Sequence, residues 1–94
     1  MVEMNLPEHI DDEFIGLIPS HRAHINRLLA RGIVLSYSLS LDRKKIWTVI
    51  TGRNEAEIER ILQNFPIINW LSYDIHELAF NNNMTQILPK FSLN

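Results

Sequence analysis

Residues 33–51 constrain the fold of this chain more than any other stretch. Two β-patterned runs, IVLSYSLSL (33–41) and IWTVIT (46–51), are separated only by Asp42-Arg43-Lys44-Lys45. A connection this short joins antiparallel neighbours, because a parallel crossover needs a dozen or more residues. In the first run Leu35, Tyr37, Leu39 and Leu41 fall on one face, with Ser36, Ser38 and Ser40 on the other. The second run is β-branched and aromatic, as strands favour. The tetrapeptide between them is a polar hairpin connection without the Asn-Gly signature of the tightest turns.

Helical periodicity flanks this hairpin on both sides. Stepping about 100° per residue, Phe14, Leu17, Ile18, Ile25, Leu28 and Leu29 lie within about 60° of a common centre, one apolar stripe. Asp11 and Asp12 place negative charge at the helix N-terminus, and Gly32 supplies the stop. Pro19 removes a backbone donor inside the stripe, which predicts a kink or a fresh helix start at residues 19–20. After the hairpin, Gly52 ends the strand and Asn54 with Glu57 forms a capping-box pattern. Ile58, Ile61, Leu62 and Phe65 then follow the helical spacing until Pro66. MVEMNL before Pro7 reads as a short first strand, and the second half of residues 67–78 as a last one.

The order is therefore β-α-β-β-α-β. It predicts an α+β, ferredoxin-like domain over residues 1–80, a four-stranded antiparallel sheet with two helices on one face. No internal repeat or linker suggests a second domain. The tail, residues 81–94, reads either as a loose end or as an arm crossing to a neighbouring chain.

Composition narrows the function classes. The net charge is −2 with no long run of one sign, which argues against nucleic acid and against electrostatic membrane binding. No apolar run approaches the roughly 18 residues of a spanning helix. The N-terminus is acidic and lacks a signal-peptide core, so a cytoplasmic protein is the expectation. With no cysteine, thiolate catalysis and cysteine-ligated zinc are excluded. A chain of 94 residues buries only roughly 60–68% of its unfolded surface, so association between copies is expected to add stability.

Two helices blanket one face of such a sheet, where Leu35, Leu39 and Leu41 should meet them, and leave the other to a partner or a ligand. Strand alternation puts Trp47 and Val49 opposite Ile46, Thr48 and Ile50, and separates Leu71, Tyr73 and Ile75 from Ser72, Asp74 and His76. The uncovered face thus mixes small hydroxyls with a few large groups. That mixture suits a second sheet or an enclosed small polar molecule, with a plain solvated face as the alternative.

His21 falls near the middle of the apolar stripe, with His24 at one edge and Arg22 at the other. A histidine aimed at the sheet is either a hydrogen-bonded core residue or an acid–base group, since its pKa follows its burial. Asp74 and His76 stand two apart on one strand and point the same way, either a plain surface pair or a pairing that can handle a proton. The catalytic candidates are therefore His21, His24 and His76. Arg22, Tyr37, Trp47, Tyr73 and Asp74 are the candidates for holding a substrate. The i, i+3 spacing of His21 and His24 permits a metal, but no third ligand follows, so no metal site is expected.

Dispersed residues also carry a family resemblance. They include Met4-Asn5-Leu6-Pro7 after the first strand, Leu28-Leu29-Ala30-Arg31-Gly32 ending the first helix, and the tryptophan-bearing IWTVI. Asn54–Leu62, Phe65-Pro66-Ile67 and Tyr73-Asp74-Ile75 continue it. Over about residues 2–80 the chain resembles the muconolactone isomerase-like proteins of the dimeric α/β-barrel superfamily. Arg22-Ala23-His24 with Leu28 and Gly32 is similar to its YciI-like branch. The resemblance implies a homo-oligomer whose sheets face each other. It also implies cofactor-free isomerisation of a small unsaturated lactone or related acid by proton transfer. The chain departs from that pattern in a short first strand, a longer segment between Pro66 and Asp74, and His76 where a glutamate is expected. A non-catalytic binding or assembly module of the same fold is the competing expectation.

Overall fold

The computed structural model describes residues 1–79. The tail read as a loose end or an arm lies outside the described residues. The order is β1 (Val2–Asn5), α1 (Asp12–Ala30), β2 (Val34–Leu39), β3 (Lys45–Ile50), α2 (Glu55–Gln63), a 3₁₀ turn (Ile68–Trp70) and β4 (Ser72–Ile75). The strands form one sheet in the order β2-β3-β1-β4 with every neighbouring pair antiparallel, the ferredoxin-like arrangement.

Side chains at both ends fix α1. Asp11 is the N-cap and accepts from the Phe14 N–H at 2.8 Å. At the far end Gly32 adopts φ 72°, its N–H bonds the Leu29 carbonyl, and the Ile33 N–H bonds the Leu28 carbonyl. That is a Schellman closure, and glycine enters its left-handed position without steric cost. The helix runs through Pro19 as one element, so no fresh helix starts at residues 19–20. Pro19 and Ile15 both lie on the exposed side, where water can satisfy the carbonyl left without a helical donor.

Helix α2 begins at Asn54, whose side chain accepts from the Glu57 N–H at 2.9 Å. The Glu57 carboxylate reaches Arg53 rather than completing the reciprocal bond to Asn54. Gly52 precedes this cap because a Cβ there would sit 2.6 Å from Ile58 Cδ1.

The core lies between the helices and one sheet face. Val2 and Met4 of β1, Ile46 and Ile50 of β3, and Val34 of β2 meet Ile25, Leu28, Ile58, Leu62 and Phe65. Full burial of one such side chain is worth about 1.5–3 kcal/mol, so this layer carries most of the stability. Thr48 is also fully buried, and its hydroxyl donates to the Ser36 carbonyl at 2.7 Å.

Strand β2 departs from strict alternation. The pairing slips between Val34 and Ser36, leaving Leu35 as an extra residue. Val34 therefore enters the core where Leu35 was expected, while Tyr37 and Leu39 keep the helix-facing register. Leu41 does not face the helices either: it lies beyond the strand and is fully exposed in the hairpin turn. Leu29, counted in the apolar stripe, is exposed, whereas Phe14, His21, Ile25 and Leu28 are buried.

Candidate functional site

Helix α1 drives His21 inward, as its place in the stripe predicts. The residue is 5% exposed, and its Nε2 lies 2.7 Å from the Tyr37 hydroxyl on β2. Its ring meets Phe65 edge-on at 5.5 Å. Burial pushes the His21 pKa down to about 4, and the neighbouring His24 adds to the effect. Burial likewise pushes the Tyr37 hydroxyl up to about 12. Both groups are therefore neutral at pH 7, joined by a phenol–imidazole hydrogen bond.

His24 sits one turn along on the same side. Its ring also meets Phe65 edge-on, at 5.9 Å, and burial followed by the Arg27 charge lowers its pKa. Among the described residues, His21 Nδ1 and His24 Nε2 are buried ring nitrogens without a hydrogen-bond partner. Arg22, between them in sequence, is exposed and stands apart from this group.

The remaining candidates lie elsewhere. Tyr73 is on the helix side of β4, where its hydroxyl donates to Glu59 Oε2 at 2.5 Å and accepts from Gln63 at 3.2 Å. The Glu59 bond is the main reason its pKa is raised. The Tyr73 hydroxyl thus ties β4 to α2.

Trp47 and Asp74 belong to the opposite, uncovered face. Register aligns Ser38, Trp47, Glu3 and Asp74 as one row across all four strands. The Lys45 ammonium lies 2.7 Å from the Glu3 carboxylate. That contact holds the Glu3 pKa down, with smaller contributions from Trp47 and the His76 charge. His76 follows β4 and extends its ladder, its N–H donating to the Met1 carbonyl at 2.7 Å. Val49, on the same face as Trp47, is buried although it is outside the core cluster.

The eight candidates thus divide among separate environments. His21, His24 and Tyr37 share one, Trp47, Asp74 and His76 another, and Tyr73 and Arg22 belong to neither. Glu3, Lys45 and Phe65 also take part and are not among the candidates drawn from the sequence. Their signals were weak: one acidic residue between Val2 and Met4, one lysine at a strand start, and a phenylalanine that reads as ordinary core.

A cleft of about 540 Å³ opens at one end of the sheet, walled by Leu35, Val49, Ile75, His76 and the segment leading into α2. A second, of about 590 Å³, lies at the hairpin end. Neither reaches His21, His24 or Tyr37. Among the described residues no group of three or more His, Asp or Glu side chains could hold a metal ion, and no helix is long and apolar enough to cross a membrane. No protein-family model matches the chain, and no curated protein matches it.

Proposed function

We propose that this protein is a self-associating, non-catalytic module in which the uncovered sheet faces of two copies meet and enclose a small polar molecule. The observation that carries this reading is the row Ser38, Trp47, Glu3, Asp74 on the face that neither helix covers. Tryptophan is among the residues enriched at interfaces, and charged groups are depleted from their centres. Here Glu3 is already matched by Lys45, which reduces the desolvation that pairing two faces would demand. Ser36 and Ser38 put small hydroxyl side chains on the same face as the indole, groups suited to a small polar ligand. His21 supports the same reading from the other side of the sheet. Its Nε2 is committed to Tyr37 and its pKa is far below neutrality, so it is a weak base.

Replacing Trp47 with Asp tests the assignment. The wild type should appear as a dimer in native mass spectrometry, and Trp47→Asp as a folded monomer. A variant that stays dimeric moves the interface to another surface.

One observation favours a second reading, cofactor-free isomerisation of a small unsaturated lactone or related acid. Glu3 faces Asp74 across the β1–β4 ladder, and the His76 charge acts on Glu3, so an imidazole and two carboxylates share one neighbourhood. Such a group can remove a proton beside a carbonyl and return it elsewhere. Deuterium uptake from D₂O by an unsaturated lactone acid, followed by NMR, would reveal that step. Uptake equal in wild type and His76→Ala excludes it.

A further inference from the structure

The hairpin end of the sheet carries a feature that neither reading uses. The cleft of about 590 Å³ there has an apolar wall, Leu6, Pro7 and Ile10, facing a basic one, Arg43, Lys44 and Lys45. Ile10 is half exposed. The Leu6 N–H donates to the Lys44 carbonyl at 2.9 Å and joins the two walls at their base. Its volume lies within the range of about 300–1,000 Å³ typical of small-molecule sites.

The charges in this cleft are unevenly committed. Lys45 is held by Glu3. Asp42 is used by the turn itself: its Oδ1 accepts from the Ser40 hydroxyl at 2.6 Å and from the Lys44 N–H at 3.0 Å. The Ser40 hydroxyl oxygen accepts in turn from the Lys44 and Lys45 N–H groups. Arg43 and Lys44 make no ion pair among the described residues, while the carboxylates of Glu8 and Asp42 line the same cleft and the Lys44 charge acts on Asp42. The turn that presents the two cations is therefore braced, with Lys44 beside the Asp42 charge and the Arg43 guanidinium without an ion-pair partner among the described residues.

From this placement we propose that the cleft between residues 5–10 and the β2–β3 hairpin binds a small organic anion, an aliphatic or aromatic carboxylate. The apolar body lies against Leu6, Pro7 and Ile10, and the carboxylate meets Arg43 and Lys44. Arginine offers a planar pair of donors to a carboxylate, and lysine adds a second point of charge. The site shares only Lys45 with the uncovered sheet face, where Glu3 holds it, and its test does not depend on the proposed dimer.

Arg43 provides a discriminating variant. Its backbone has φ 61°, a left-handed conformation that Asn tolerates better than Arg. Arg43→Asn should therefore keep or raise the thermal midpoint while removing the guanidinium. The binding test is a titration of the whole chain with phenylacetate at constant ionic strength, followed through backbone amide NMR shifts. Saturable shifts at Ile10, Arg43 and Lys44 are expected, with affinity at least tenfold weaker in Arg43→Asn and also weaker in Lys44→Gln. Phenylacetamide and acetate, which lack the charge and the apolar body respectively, should each bind at least tenfold more weakly than phenylacetate. Equal binding of phenylacetamide, undiminished affinity in both variants, or no saturable shift up to about 10 mM phenylacetate overturns the proposal.

Discussion

His21 Nε2 and the Tyr37 hydroxyl, 2.7 Å apart, join α1 to β2 through the one titratable side chain of that helix that is fully within the apolar layer. Because the pair is buried, its protonation state is linked to folding. The folded-state pKa of His21, about 4, lies below its ordinary value of 6.5. Its contribution is therefore fully present above about pH 6.5 and is lost as pH falls toward 4. A depression of this size corresponds to roughly 3 kcal/mol at most. Urea midpoints measured from pH 7 to pH 4 should fall steeply in the wild type and more gently in His21→Phe. Parallel pH profiles for the two proteins would show that His21 titrates as freely in the folded chain as in the unfolded one.

Losses at the two members of this pair should not add. Tyr37→Phe leaves His21 Nε2 buried without a partner, an expected loss of about 1–3 kcal/mol. The double variant Tyr37→Phe, His21→Phe removes the orphaned nitrogen as well. Its loss should be smaller than the sum of the two single losses. Additive losses in chemical denaturation would mean the two side chains do not interact.

Two glycines should respond in opposite directions to the same change. Gly16 lies in the exposed interior of α1, and a Cβ there meets nothing within 4 Å. Gly16→Ala should stabilise by about 1 kcal/mol through helix propensity. Gly52→Ala pushes against Ile58 and should destabilise by about 1–3 kcal/mol. Thermal midpoints that move the same way for both would contradict the close approach at Gly52.

The bond from Tyr73 to Glu59 predicts a local effect. Tyr73→Phe removes the only side-chain hydrogen bonds from β4 to α2 among the described residues. Because the site is partly exposed, the loss should be about 0.5–1.5 kcal/mol. Amide exchange should quicken in β4 more than in β3. Uniform quickening across the sheet would show that the bond acts on global rather than local opening.

Much of this architecture was legible in the sequence because its signals were local. The stripe containing Phe14, Ile25 and Leu28 reported α1 and turned His21 inward; Gly32 and Asn54 marked real caps. What required register was not legible. The bulge at Leu35 exchanges Val34 for Leu35 in the core, and only pairing with β3 reveals it. Leu41 looks like another inward leucine until the turn is seen to begin before it. Pro19 does not start a new helix, because it lies on the exposed side of α1, a placement that depends on tertiary packing. The 3₁₀ turn at Ile68–Trp70 was hidden in an apolar run, where strand and helix look alike. The Tyr37 partner of His21 and the Lys45 partner of Glu3 lie 16 and 42 residues away, beyond any local pattern.

The central claim is that the row containing Trp47 is covered by a second copy. Sedimentation equilibrium of the untagged wild-type chain, from micromolar to hundred-micromolar concentration, tests it most directly. The prediction is a mass twice the 11.0 kDa of the chain, collapsing to the monomer value in Trp47→Asp. A wild-type mass of 11.0 kDa throughout that range would contradict the account.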